Sequence, residues 1–146
     1  HRPKIDRIAC PWLIRRFVDA DARFLFVSPR EVMGVAERYG ATPFDMEDVF
    51  WSHRDDQCTF DTMLAEFGLQ TPALMRLAQV VRAADKNRHD LSLQAAGLLA
   101  LSVGLSRQYR DDTQQLNAGM AMYDALYRWA RDGQDEGHDW PAEQKR

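Results

Sequence analysis

Leu74, Leu77, Ala78, Val81 and Ala84 recur at the three-and-four spacing that gathers apolar side chains on one face of an α-helix. Leu116, Met120, Tyr123, Tyr127 and Ala130 repeat the pattern further along. Two such stripes need apolar partners, which commits the chain to a helical core. Each has a start signal: Thr71-Pro72 before the first and Asp111-Asp112 before the second. A shorter helix opens at Thr59, with Phe60, Met63, Leu64 and Phe67 on one face and Gly68 at its end. Near the N-terminus a helix is expected to begin around Ile8–Pro11, with Pro11 in its first turn, and to run to about Asp19. Its apolar residues cover nearly the whole circumference, so it should be largely buried and Arg7, Arg15 and Arg16 should need partners.

Residues 91–106, "LSLQAAGLLALSVGLS", carry no charge; at 16 residues with polar interruptions they are too short and too polar for a membrane span and read as a buried core helix. Gly97 and Gly104 lower helix propensity there, so close backbone approach is expected at both. "PREVMGVAERYG" reads as a helix with Pro29 near its start and Gly40 past its end. "RFLFV" (23–27) and "DVFWSH" (48–53) have the residues of short strands. The expected fold is therefore mainly α: a single domain over 1–146 of about five to six helices with a small two-strand β element, and a polar tail at 132–146 that holds Trp140.

A chain of 146 residues is one domain, long enough to bury about 70% of its unfolded surface without staples. With 19 basic and 22 acidic residues the net charge is −3, which leaves no electrostatic footprint for nucleic acid or an anionic membrane. Two cysteines make no disulfide framework, and no apolar leader follows the first charges, so a reducing cytoplasm is the expected setting. A first residue of His1 rather than Met reads as a tag scar or a piece of something longer. Oligomeric state is open.

Some polar residues fall where periodicity does not want them. Asp85 follows Val81 by four, within an apolar stripe, and a carboxylate facing a core must be paired, hydrogen-bonded or metal-bound. A salt bridge to an arginine of the first helix is the structural reading. His53 at a strand end and Asp61 at a helix start lie eight residues apart, and imidazole with carboxylates makes a site for a divalent ion such as zinc, manganese or iron. His53, Asp61 and Asp85 are thus candidate metal ligands, with Cys58 and Asp90 as possible additions. Singly, His53 also suits a turn and Asp61 a helix N-terminal charge.

Cys58 and Cys10 each precede or enter a helix N-terminus, a setting that favours thiolate; the structural alternative is a small buried apolar residue. Arg7, Arg15 and Arg16 suit either an oxyanion or internal carboxylates such as Asp85 or Asp45. Asp45, Glu47, Asp48, Asp55 and Asp56 read as a solvated acidic face.

"RPKIDRIACPWLIRRFVD", "GATPFD", "SHRDDQCTFD", "RAADKNRHDLSLQAAGLLALSVGLS" and "YDALYRW" together resemble the C-terminal domain of the chromate resistance protein ChrB. The resemblance covers roughly residues 2–138. It implies a bacterial role in chromate resistance, commonly beside a chromate efflux transporter. Full-length relatives carry an additional N-terminal region, and regulation of chromate-inducible transcription is attributed to them; DNA binding is not carried over to a chain of this charge. The family's polar motif positions correspond to Asp6, Arg7, Arg15, Arg16, His53, Cys58, Asp61, Asp85 and Asp90. The leading expectation is a chromate-resistance domain with one divalent metal at His53, Asp61 and Asp85, and with Asp6, Arg7, Arg15 and Arg16 as anion-binding or supporting groups. The alternatives are a metal-free sensory module binding chromate or sulfate through the arginines, and a thiol-based redox domain using Cys58.

Overall fold

In the computed structural model, which describes residues 2–138, α4 (Pro72–Asp85) is the helix that the rest of the core packs around. Its predicted stripe is buried, and so are Ala73, Val80 and Ala83 beside it. Thr71 caps it, accepting from the Leu74 amide at 3.3 Å, with Pro72 at the first helical position. The other helices are α1 (Asp6–Phe17), α2 (Val32–Tyr39), α3 (Thr59–Glu66), α5 (Ala95–Gln108) and α6 (Asp112–Arg128). Asp111 caps α6 through the Gln114 amide at 2.8 Å, and a π-helical turn over Trp129–Gly133 carries the chain back onto α4. No helix among the described residues is long and apolar enough to cross a membrane.

Helix α1 starts a turn earlier than its sequence suggests, at Asp6, which leaves Pro11 inside the helix. The missing amide forfeits one bond to the Arg7 carbonyl. The opposite end of α1 forms an aromatic group: Trp12 is 1% exposed and contacts Phe17, Tyr123 and Tyr127 at ring separations of 5.7–6.2 Å. Its indole donates to Asp124 of α6 at 2.7 Å, and Arg16 holds the same carboxylate at 2.8 and 2.9 Å.

The two-strand element is not formed: no strand occurs among the described residues. Residues 23–27 are extended but have no ladder partner, and within 48–53 there is only an isolated bridge from Trp51 to Phe44. The β-forming residues describe a half-buried surface rather than a backbone preference, and here Phe24 and Phe26 meet it by packing on the helical core. Left-handed backbone at Asp45 and Asp48 (φ 54° and 58°) breaks the extended run that pairing would need.

Helix α5 also departs from expectation. Ala95, Leu98, Ser102 and Ser106 are buried, but Leu93, just ahead of the helix, is 93% exposed and Leu101 58% exposed. Nothing lies within 4 Å of a Cβ built on Gly97 or Gly104, so no close approach explains either glycine. An absence of charge is a weaker statement than burial. Close approach falls instead at Gly119 on α6, where a Cβ would stand 2.8 Å from the Ile8 Cγ2 atom of α1. Ile8 is buried and stiff at χ1, so it has little room to yield. Gly119→Ala should therefore lower stability by about 1–3 kcal/mol in urea unfolding, although alanine is the better helix former. A stabilised variant would show that this crossing is not tight.

Candidate functional site

The N-termini of α1 and α3, the C-terminus of α4 and the loop through Asp45 meet on one side of the bundle, and they bring most of the chain's unusual polar residues with them. Asp6 is fully buried. Its carboxylate reaches from α1 to the first turn of α3, accepting from the Thr59 amide at 2.9 Å and, more loosely, from the Phe60 amide at 3.4 Å. One helix thereby caps another. Thr59 extends the chain outward: its hydroxyl donates to Asp45 Oδ1 at 2.8 Å, while Arg7 grips Asp45 Oδ2 at 3.0 Å and the Asp45 carbonyl at 2.9 Å. The pairing of Arg7 with Asp45 is one the sequence anticipates. The assignment of Asp45 to a solvated face is corrected, because it is half-buried at the centre of this network.

The entry to the site is strained. Ile5, immediately before Asp6, sits at φ 49°, a costly conformation for a β-branched residue, and Asp45 is left-handed as well. Contacts from α6 hold the segment in place: Gln115 donates to the Pro3 carbonyl, and the Tyr123 hydroxyl approaches the Ile5 carbonyl at 3.4 Å. Such strain, of order 1–3 kcal/mol, persists where surrounding structure enforces it.

Asp85 is not in the core. It is the last residue of α4 and its side chain reaches solvent, because the stripe ends where the bundle does. It makes no hydrogen bond or ion pair among the described residues. Partial desolvation and then the charge of Asp45 raise its pKa, against the opposing pull of Lys86, His53 and Arg7. Asp6 is raised well above the ordinary carboxylate range, first by burial and then by Asp85 and Asp45, while the amides of Thr59 and Phe60 act in the other direction. Three carboxylates thus share one electrostatic neighbourhood with Arg7, Lys86 and His53. His53 is exposed, and among the described residues its ring makes only a 3.4 Å contact with the Ser52 hydroxyl.

The remaining sequence candidates go elsewhere. Asp61 is buried, with Oδ2 accepting from the Cys58 amide at 3.0 Å and from its thiol at 3.3 Å, and Oδ1 held by Arg82 at 2.8 Å. It works as the inner half of a capping arrangement at the start of α3. Asp90 is exposed and held two-pronged by Arg88 at 2.9 and 3.0 Å, which lowers its pKa. Among the described residues no three His, Cys, Asp or Glu side chains stand as a ready metal-ligand set. Arg7, Arg15 and Arg16 do not converge: Arg15 bonds the Ala22 carbonyl at 3.1 Å and lies over Phe24, and Arg16 is taken by Asp124.

Of the two readings of Cys58, the buried fold favours a small core residue over a thiolate. The thiol is fully buried, and burial followed by the charges of Asp6 and Asp61 pushes its pKa far up. Cys10 is buried and raised in the same way. Both behave as small core residues. Sequence reasoning missed Thr59 as the residue that joins Asp6 to Asp45; its only signal was a hydroxyl directly after Cys58 at a helix start.

The sequence profile of the family described as ChrB, C-terminal domain, matches residues 1–130. Protein ChrB of Cupriavidus metallidurans is 31% identical over 129 residues, an alignment that covers 84% of this chain and 37% of that protein. The chain thus spans little more than a third of the relative's length. No solved structure matches. With its motifs, its helical fold and these two matches in agreement, the chain belongs to the ChrB C-terminal domain family.

Proposed function

We propose that this chain is a bacterial chromate-resistance domain whose working site is a divalent-metal centre at His53 and Asp85, set in the field of Asp45 and Asp6. One observation carries the reading. Among the described residues Asp85 is the carboxylate of this group whose oxygens are uncommitted, beside an exposed imidazole and beside Asp45, whose charge raises the cost of its own. A bound cation relieves that repulsion. One imidazole and one carboxylate with several open positions suit a borderline ion, zinc, manganese or iron(II), that completes its shell with water or with an oxyanion. Asp61 drops to a supporting part, since Cys58 and Arg82 occupy both its oxygens. When bound, the metal supplies Lewis acidity or a redox centre. The chain's own contribution is to fix Asp85 at a helix end, to keep Arg7 on Asp45, and to leave His53 free to turn.

Calorimetric titration of chelator-treated protein with zinc, manganese and iron(II) tests this. One ion per chain is expected for at least one of them, with affinity falling tenfold or more in His53→Ala and in Asp85→Asn and unchanged in Asp90→Asn. Chromate should raise the melting temperature of the loaded protein and not of the stripped one. Folded wild-type protein that binds none of the three ions would overturn the proposal.

A further inference from the structure

Helix α2 has a face without a partner in the bundle. Val32, Val35, Ala36 and Tyr39 fall at the spacing of a core-facing stripe, yet no residue of α2 is buried. Among the described residues its backbone approaches no other helix, only the short turn at Pro29–Glu31 from which it springs. The face looks instead into a cleft of about 800 Å³ that separates α2 from α1 and α3. Phe24 and Phe26 of the extended segment, and Phe44 and Trp51 of the loop before α3, also line it.

We propose that this cleft binds a neutral, flat, largely apolar organic molecule of cofactor size, with a polar group at one end. The volume lies within the roughly 300–1,000 Å³ of small-molecule pockets. A lining that joins Phe24, Phe26, Phe44 and Trp51 with Val32 and Val35 of α2 suits a flat apolar body. The charged lining residues, Arg7, Asp19, Arg23 and Asp45, balance in sign, which favours a ligand without net charge. The polar end is set by Arg7 and Asp45, which already hold each other and present both donor and acceptor atoms there. Through that pair the cleft adjoins the carboxylate group around Asp85, but the inference does not rest on a metal being present.

Nile red, a flat neutral dye with a carbonyl at one end, is the probe, used with the whole chain in the presence of a chelator. Saturable fluorescence enhancement with one dye per chain is expected. Val35→Glu and Val32→Glu should each weaken binding tenfold or more, with the dye-free melting temperature unchanged because α2 packs on no other helix. Asp85→Asn should bind the dye as the wild type does, which separates this site from the metal proposal. 2-Naphthamide should displace the dye at about one-tenth the concentration that 2-methylnaphthalene requires; equal potency would remove the polar end from the proposal. Wild-type protein without saturable binding, undiminished binding in both glutamate variants, or one dye per two chains with a dimer in sedimentation would overturn it.

Discussion

Trp12→Ala is expected to lower the unfolding free energy by about 3–5 kcal/mol, a large share of the roughly 5–15 kcal/mol that holds a domain of this size. Two losses combine. The indole fills the junction of α1 and α6 against Phe17, Tyr123 and Tyr127, and alanine leaves a cavity that stiff helix backbones do not close. Asp124 also loses the donor at 2.7 Å, although Arg16 still holds it from the solvent side. Trp12→Phe restores most of the volume without the donor, so it should recover more than half of the loss. Urea unfolding of the three proteins measures both terms. A Trp12→Ala variant within 1 kcal/mol of wild type would show that the cluster contributes little beyond surface cover.

The second large effect concerns Asp6. In the pH window above the unfolded carboxylate value of about 3.9 the protein should lose stability as pH rises. Asp6 and Asp85 both have folded pKa values above their unfolded ones, so the folded state binds the extra protons. Their contribution is complete below the unfolded carboxylate value of about 3.9 and disappears as pH climbs through the raised folded values. Asp124, held below its ordinary value chiefly by Arg16, acts with the opposite sign, but its contribution is lost only as pH falls through that lowered value, beneath this window.

Melting temperature recorded against pH should therefore slope downward, and Asp85→Asn should flatten the slope by removing the charge that acts most strongly on Asp6. A melting temperature that climbs across the window would contradict the raised pKa values. Asp6→Ala is expected to cost about 1–3 kcal/mol at pH 5, since the Thr59 and Phe60 amides lose their buried acceptor. The cost should shrink as pH rises through the raised folded value of Asp6, where the wild type gives up the extra proton.

Much of the fold was legible in residues 59–85 and 111–130. There helix starts, stripes and ends coincide, so local preference and burial point the same way. The extended aromatic segments misled because period and propensity describe a half-buried surface, and only a neighbouring strand makes such a surface into a sheet. Asp85 stood out for a sound reason, its place in an apolar stripe, but the stripe carried no information about where the bundle stops. Likewise, His53 and Asp61 are near each other in sequence, but Asp61 turns inward to Cys58 and to Arg82 of α4 while His53 stays exposed.

What the sequence determined by itself was most of the helix content, the core stripes of α4 and α6, and the family, since each is carried by local pattern or by the order of residues along the chain. Only the tertiary structure decided which polar residues share a field. Asp6 reaches Thr59 across 53 positions and Arg7 reaches Asp45 across 38. Contacts at that range depend on how helices cross, and a crossing is set by packing as close as that of Gly119 on Ile8, which no local spacing encodes.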